Sequence, residues 1–309
     1  MQIFLKFLKW AGITLGVLLA LFIGINAFDE KLDPGAATIL NAQPKVKAED
    51  NAYFYWAGMY TAASNNPIEV GKKCVLAQIK IAEAGTLLGS PNSAPECHEQ
   101  NELKPLNGKL IACDWRQKPC LEQYFAQHAT IDILTTQNQV MLERYERLLE
   151  FKKFDDIHPF PQLNVFLKIS PATLFAAISA TQLQDGDSSA FIRRTRAETN
   201  FYRMVLSGDT SLIPKMVGMA WLERSARLVS DAVLANPALA QQNQVALLEI
   251  TQPMNAAERS LGKTIEGELR FSAAFMRSIP TDDFSFLERV TYPIVYKQNA
   301  TENYYYRDQ

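Results

Sequence analysis

The chain has 309 residues, of which 48% are hydrophobic and 21% are charged, and its formal net charge at pH 7 is -2. A balance this close to zero argues against a nucleic-acid partner, because such binding needs a basic surface. A chain of this length buries about three quarters of its unfolded surface, so its stability does not require a cofactor, and we predict none.

The N-terminal segment is the most informative part of the chain. Lys6 and Lys9 precede an uncharged run from Trp10 to Phe28. About 19 helical residues at 1.5 Å each cross a hydrocarbon core of roughly 30 Å, so residues 1–28 predict one transmembrane anchor. Because positive charge stays on the cytoplasmic side, we expect a cytoplasmic N-terminus. The rest of the chain would then lie in the periplasm, attached to a bacterial inner membrane by a single pass.

A cleaved signal peptide is the alternative interpretation of this segment. Ile25-Asn26-Ala27 resembles a small-residue cleavage site. We favour the anchor, since the apolar stretch is longer than the roughly 7 to 15 residues usual in a signal. No cysteine directly follows the stretch to accept a lipid.

The four cysteines all lie within a short part of the chain, at Cys74, Cys97, Cys113 and Cys120. In an oxidising periplasm an even set of cysteines forms disulfides, and we predict two. Three connectivities are open; we favour pairing the first with the second and the third with the fourth, because each pair closes a short loop around a proline. A zinc site that includes His98 is less well supported, since the paired C-x-x-C spacing is missing.

The organisation of the exported part can be outlined from its composition. Residues 29–50 are predicted to form a polar stalk, and residues 51–309 a helical periplasmic domain. The aromatic cluster around Trp56, at the start of that domain, is interpreted as a packing layer. A pair of prolines cannot continue a helix and marks a candidate sub-boundary near residues 155–163.

Apolar residues recur every three or four positions through most of the domain, which predicts helices. Residues 120–154 form the longest such stretch and are predicted to be one long or kinked helix, the spine of the domain. Only Val290 to Tyr296 looks β-like, and one such stretch cannot make a sheet. The other predicted helices are Ile68 to Ala84, Ser170 to Leu183, Ser189 to Leu206, Ser211 to Ala235, residues 238–251 and Met254 to Ile279.

The predicted fold class is therefore all-α. We expect an N-terminal transmembrane helix followed by an irregular array of antiparallel helical hairpins, pinned by two disulfides. No 34-residue period is present, which argues against a regular helical repeat. An array of this kind has grooves between its hairpins, and grooves of this kind bind peptides or other proteins.

Glu198 is the first weak candidate for a catalytic group. Glu198-Thr199-Asn200-Phe201, followed by Ser207, resembles the E-S-x-F segment and later serine of soluble lytic transglycosylases. That resemblance implies a general acid that cleaves a glycan. The G-L-M-Q segment of the family is missing, so we favour an ordinary glutamate on a helix face.

Glu268 is the second weak candidate, because it lies within an apolar stripe of the last long predicted helix. A buried carboxylate needs a cation or a raised pKa. We expect an ion pair with Arg193, Arg194 or Arg196, in preference to a catalytic role. The same three arginines are weak candidates for binding an anionic ligand such as phosphate or a lipid headgroup.

Several short motifs resemble a group of uncharacterised proteobacterial proteins that carry one membrane anchor. These are N-A-Y-F-Y-W-A-G at Asn51 to Gly58, C-x6-C at Cys113 to Cys120, S-L-I-P-K-M at Ser211 to Met216, and N-A-T-E-N at Asn299 to Asn303. The resemblance covers most of the exported part. It implies an inner-membrane setting and supplies no activity and no catalytic residue.

The predicted function is a membrane-anchored binding or scaffold protein that engages another envelope protein or a peptide. Abundant amphipathic helices come without a nucleophile, metal or phosphate constellation, so an enzyme is disfavoured. Two alternatives stay open. One is capture of a lipid or small apolar ligand between helices, and the other is a hydrolase of cell-wall or lipid material that uses Glu198 or Glu268.

Overall fold

The regular structure of the protein is helical throughout the residues that the computed structural model describes, apart from two isolated β-bridges. These residues are 2–25, 28–42, 45–83, 103, 113, 118–156, 170–277 and 284–307. The prediction of an all-α fold is confirmed. In chain order the helices are α1 Gln2–Ile25, α2 Pro34–Leu40, α3 Ala52–Ala57, α4 Pro67–Glu83, α5 Cys120–Ala126, α6 His128–Gln137, α7 Gln139–Leu149, α8 Ser170–Gln184, α9 Ser188–Ser207, α10 Leu212–Ala235, α11 Pro237–Thr251, α12 Ala256–Arg259, α13 Gly262–Arg277, α14 Phe286–Val295 and α15 Gln298–Arg307.

The N-terminal helix α1 is long and apolar enough to cross a membrane. Its window from Lys6 to Ile25 has a mean hydropathy of 2.0, and none of that window is buried by the rest of the protein. An apolar helix of this length that the rest of the protein does not bury is expected to be covered by lipid. The structure is therefore consistent with a single-pass anchor.

One half of the core is built around the aromatic helix α3. All six of its residues are buried, and they pack with residues of α4, α7, α9 and α10. The helices α3 and α4 approach closely through Gly58 and Gly71, where a Cβ atom would overlap backbone atoms of the opposite helix. The aromatic segment around Trp56 is thus a packing layer, as its composition indicated.

The other half of the core contains apolar side chains from α5, α6, α8, α9, α10 and α11. Helix α9 contributes to both halves and contacts α7, α8, α10, α11 and α12. The spine of the domain is therefore the antiparallel pair α9 and α10, and the predicted spine at residues 120–154 is wrong.

Residues 120–154 divide into three shorter helices. The breaks fall at Gln127 and Asn138, whose backbones leave the helical conformation. In each case the side-chain amide donates to the carbonyl four residues earlier, on Gln123 and Leu134. A side chain that takes over a backbone acceptor competes with the helix and ends it.

Two other segments differ from the prediction. Most of the β-like stretch Val290 to Tyr296 lies in α14, which starts with a capping box between Ser285 and Glu288. A capping box satisfies two backbone donors at the start of a helix and so favours helix over strand. The single helix predicted from Met254 to Ile279 is two helices, α12 and α13, separated near Ser260.

The predicted stalk contains helix α2, which packs against α13 and α15. Ala36 is completely buried there. The part of this segment that forms α2 therefore belongs to the folded domain.

One disulfide, Cys113–Cys120, is present among the described residues, with its Cα atoms 5.3 Å apart. This pairing was predicted. Cys74 is buried in α4 and is not a free thiol, but Cys97 lies outside the described residues. The predicted bridge between these two cysteines stays a prediction, as does the sub-boundary near 155–163, where only residues 155 and 156 are described.

Candidate functional site: buried acids in the helical core

Glu198 lies in the middle of α9 and is only 3% exposed. The hydroxyl of Tyr145, on α7, donates to its Oε1 atom at 2.8 Å. The hydroxyls of Tyr145 and Tyr202 lie 3.3 Å apart. The glutamate that was interpreted as a helix-face residue is thus a core residue, held in a cluster with two tyrosines.

The buried position changes the acidity of Glu198. Burial raises its pKa from 4.5 to about 7, while the charge of Arg224 and the hydrogen bond from Tyr145 act in the opposite direction. Burial also raises the pKa of Tyr145 well above 10, with a further contribution from Glu198. Desolvation disfavours every charged form, so an acid here takes up a proton near neutral pH.

The neighbouring helix α10 holds the cluster in place from one side. Trp221 stacks on Tyr202 with ring centroids 5.7 Å apart. The guanidinium of Arg224 lies 4.3 Å from the ring centre of Trp221 and donates to the hydroxyl of Tyr124 at 2.6 Å. Stacking and cation–π contacts of this kind fix the orientation of the side chains around the acid.

Three buried hydroxyl groups of α9 and α10 have no hydrogen-bond partner: those of Thr195, Thr199 and Ser225. The first two flank Glu198 on α9. The stacking of Trp221 on Tyr202 sets the antiparallel register, and one further turn along α10 brings Ser225 opposite Glu198. Buried polar groups normally bind protein or ordered water, so the interior around Glu198 has unused hydrogen-bonding capacity.

A second buried acid, Asp156, lies at the start of α10. Its carboxylate accepts from the backbone N–H of Ser211 at 2.9 Å and from the hydroxyl of that serine at 2.7 Å. Burial raises the pKa of Asp156 to about 7, and these bonds and the charge of Arg270 only partly offset it. Asp156 is therefore, with Glu198, a second described carboxyl group that changes charge near neutral pH.

Glu268 has a structural role at the same end of α10. Its Oε1 atom accepts from the backbone N–H of Leu212 at 2.9 Å. The first N–H groups of a helix have no partner inside it, and a carboxylate there also interacts favourably with the helix dipole. The glutamate of α13 thus caps α10 from outside.

The predicted ion pair between Glu268 and the arginines of α9 is wrong. Arg194 pairs with Glu146 at 2.7 Å, and Arg196 pairs with Glu249. Arg193 is exposed. Because two of the three cations already have acidic partners on different helices, they do not converge on one anion site. The apolar stripe indicated the face of α13 on which Glu268 lies, but it did not indicate which residue of a neighbouring helix Glu268 contacts.

The capping role of Glu268 gives a testable prediction. We expect Glu268→Ala to lower the free energy of unfolding by about 1 kcal/mol, the usual effect of losing a capping acceptor. Glu268→Gln keeps an acceptor oxygen and should lose less. Urea unfolding of the full chain in detergent micelles would measure both, and equal losses would contradict the capping role.

A metal is not indicated for these acids. Among the described residues, no group of three or more histidine, cysteine, aspartate or glutamate side chains could hold a metal ion. Glu198 and Glu268 do not share a site, because one is enclosed between α7, α9 and α10 and the other lies at the N-terminus of α10. A glycan could reach Glu198 only if these helices separated.

Comparison of the chain with protein-family models, with curated proteins and with solved structures finds no match. The resemblance to proteobacterial anchored proteins stays a prediction.

Proposed function

We propose that the chain is a membrane-anchored periplasmic protein whose helical domain binds another envelope protein or a peptide. The proposal depends mainly on a second apolar face of α10. Leu212, Met216 and Met219 follow one another at spacings of four and three residues and are exposed, Met216 by 54%. This spacing places them in one stripe along the helix.

The helix α10 already has an apolar face for the core. Trp221, Leu228 and Ala232 are buried against the neighbouring helices. A surface helix needs only one such stripe, so a second one exposes apolar area without a benefit to folding. Methionine side chains adapt their shape to a partner, and a helix face of this kind suits a helix-in-groove contact.

The anchor supports the membrane part of the proposal. The apolar window of α1 is uncovered, and the domain follows it after a short segment. Added protease should digest the domain in spheroplasts but not in intact cells if it is periplasmic. Digestion only after lysis would place the domain in the cytoplasm and reverse the orientation.

Site-specific photocrosslinking in cells tests the binding face. We expect p-benzoylphenylalanine at position 219 to give a discrete protein adduct, and Met216→Glu to reduce that adduct at least tenfold. Leu234→Glu is the matched control. Leu234 is exposed by 78% on the same helix but lies 15 residues after Met219, roughly 22 Å away. An adduct insensitive to Met216→Glu, or a lipid adduct in its place, would contradict protein binding at this face.

A further inference from the structure

The segment directly after the anchor holds the first turn of α15. The carboxylate of Asp29 accepts from the backbone N–H groups of Asn299 at 2.8 Å and Ala300 at 3.1 Å. The side chain of Asn303 accepts from the backbone N–H of Asp33 at 2.7 Å. We call these contacts the terminal clamp. They satisfy N–H groups that the start of a helix leaves unpaired.

The clamp fixes how far α15 can lie from the membrane. Asp29 is four residues after Ile25, the end of α1. An extended chain spans at most about 3.5 Å per residue, so Asp29 lies within roughly 14 Å of the end of the apolar helix. The clamped N–H groups are further away by no more than the length of the Asp29 side chain and one hydrogen bond. The helix α14 ends at Val295, shortly before α15 begins, and is therefore held in the same region.

This region exposes large apolar and aromatic side chains. Phe286 and Leu287, in the first turn of α14, are exposed by 85% and 70%, and Tyr304 of α15 by 63%. Within the part of the chain that the structure describes, α14 makes no extensive packing with another helix. Tyrosine is favoured at the boundary between lipid and water, and phenylalanine and leucine occupy the apolar face of helices that lie in this boundary.

We propose that α14 and α15 lie on the lipid surface beside the anchor, with Phe286, Leu287 and Tyr304 inserted into the interface. The inference depends on the membrane anchor of the proposed function and not on its protein partner. Lipid is the occupant because the clamp holds the first turn of α15, and with it the end of α14, close to the point where α1 ends. Short helices with one apolar face bind membranes in this way.

Photocrosslinking of the purified full chain in nanodiscs of phosphatidylethanolamine and phosphatidylglycerol tests the inference. With p-benzoylphenylalanine at position 286 or 304, we expect lipid adducts at least fivefold above those from position 234. Leu234 is the control because it is as exposed as these residues but lies at the far end of α10, 22 residues or about 33 Å from Leu212. The Leu212 end of α10 is the one near the clamp, because Glu268 of α13 caps it and α13 packs against α2 and α15. Position 21, within α1, reports on the anchor itself.

The outcomes separate the two proposals. Lipid adducts at position 21 with only background at 286 and 304 would overturn the surface contact and leave the anchor in place. Adducts with a second copy of the chain at 286 and 304 would also overturn it. No lipid adduct at position 21 would refute the anchor and, with it, the surface contact.

A variant of the clamp provides an independent check. Asp29→Ala removes the acceptor for two N–H groups and should lower the lipid adducts at position 304 several-fold, while those at position 21 stay unchanged. Glu30→Gln is the matched control, since it also removes one negative charge but keeps the side-chain oxygen that accepts from Asn303 at 3.3 Å and the backbone carbonyl that accepts from Asn299 at 2.9 Å. Unchanged adducts at position 304 in Asp29→Ala would show that the clamp does not position α15.

Discussion

Replacing Arg144 by methionine should lower the free energy of unfolding by about 3 to 5 kcal/mol. Arg144 is a buried residue of α7, and its guanidinium donates hydrogen bonds of 2.5 to 3.3 Å to four backbone carbonyls in the turn that links α3 and α4. Methionine fills a similar volume but leaves these acceptors without the donor that ties them to α7. The measurement is urea unfolding of the full chain in detergent micelles.

Arg147→Met is the matched control on the same helix. Arg147 is exposed and pairs with the exposed Glu150. Exposed pairs contribute little, so this change should alter the free energy of unfolding by less than about 0.5 to 1 kcal/mol. Equal losses in the two variants would mean that the carbonyls of the turn find other donors, and that Arg144 does not hold the turn on α7.

The second large effect concerns pH. Burial raises the pKa of Glu198 from 4.5 to about 7, so the folded protein binds a proton that the unfolded chain has lost in this range. Stability from this group is complete below about pH 4.5 and is lost as the pH rises through about 7. We expect Glu198→Gln to remove this dependence, so that the stability difference between variant and wild type changes by roughly 2 to 3 kcal/mol between about pH 5 and pH 7.5.

Two further variants complete the pH experiment. Asp156→Asn should remove a second contribution of the same sign, because burial also raises the pKa of Asp156 to about 7. Glu223→Gln changes an exposed carboxylate paired with Arg227. The free energy of unfolding of this variant should depend on pH in the same way as that of the wild type. A constant difference between Glu198→Gln and wild type across the range would show that Glu198 is ionised in the fold.

The fold class was predictable because helix formation depends on local apolar spacing. The breaks at Gln127 and Asn138 were not predictable, since they depend on side-chain amides that donate to the backbone. Glutamine and asparagine also occur inside other helices of this chain, so the residue type alone does not indicate a break. The capping box of Ser285 and Glu288 was visible in the sequence as S-x-x-E. The aromatic and β-branched residues that follow it obscured this signal.

The buried acids were less predictable than the fold. Glu198 shares a helix face with Phe191, Tyr202 and Val205, which are buried, and the prediction of an ordinary helix-face glutamate overlooked this spacing. Its partner Tyr145 is 53 residues away in the chain, and no local pattern connects the two. Asp156 and Ser211 are 55 residues apart and meet because the segment after α7 pairs with the turn between α9 and α10, where the backbone N–H of Asp156 donates to the carbonyl of Asp209.

The terminal clamp has a consequence for biogenesis. Asp33 and Asn303 are 270 residues apart, and at roughly 5 to 20 residues per second the ribosome needs about 14 to 54 s between them. The apolar α1 leaves the ribosome long before its clamping partner has been synthesised. In the proposed membrane setting, insertion of α1 therefore precedes closure of the clamp, and α15 docks onto the segment that follows an anchor already in place.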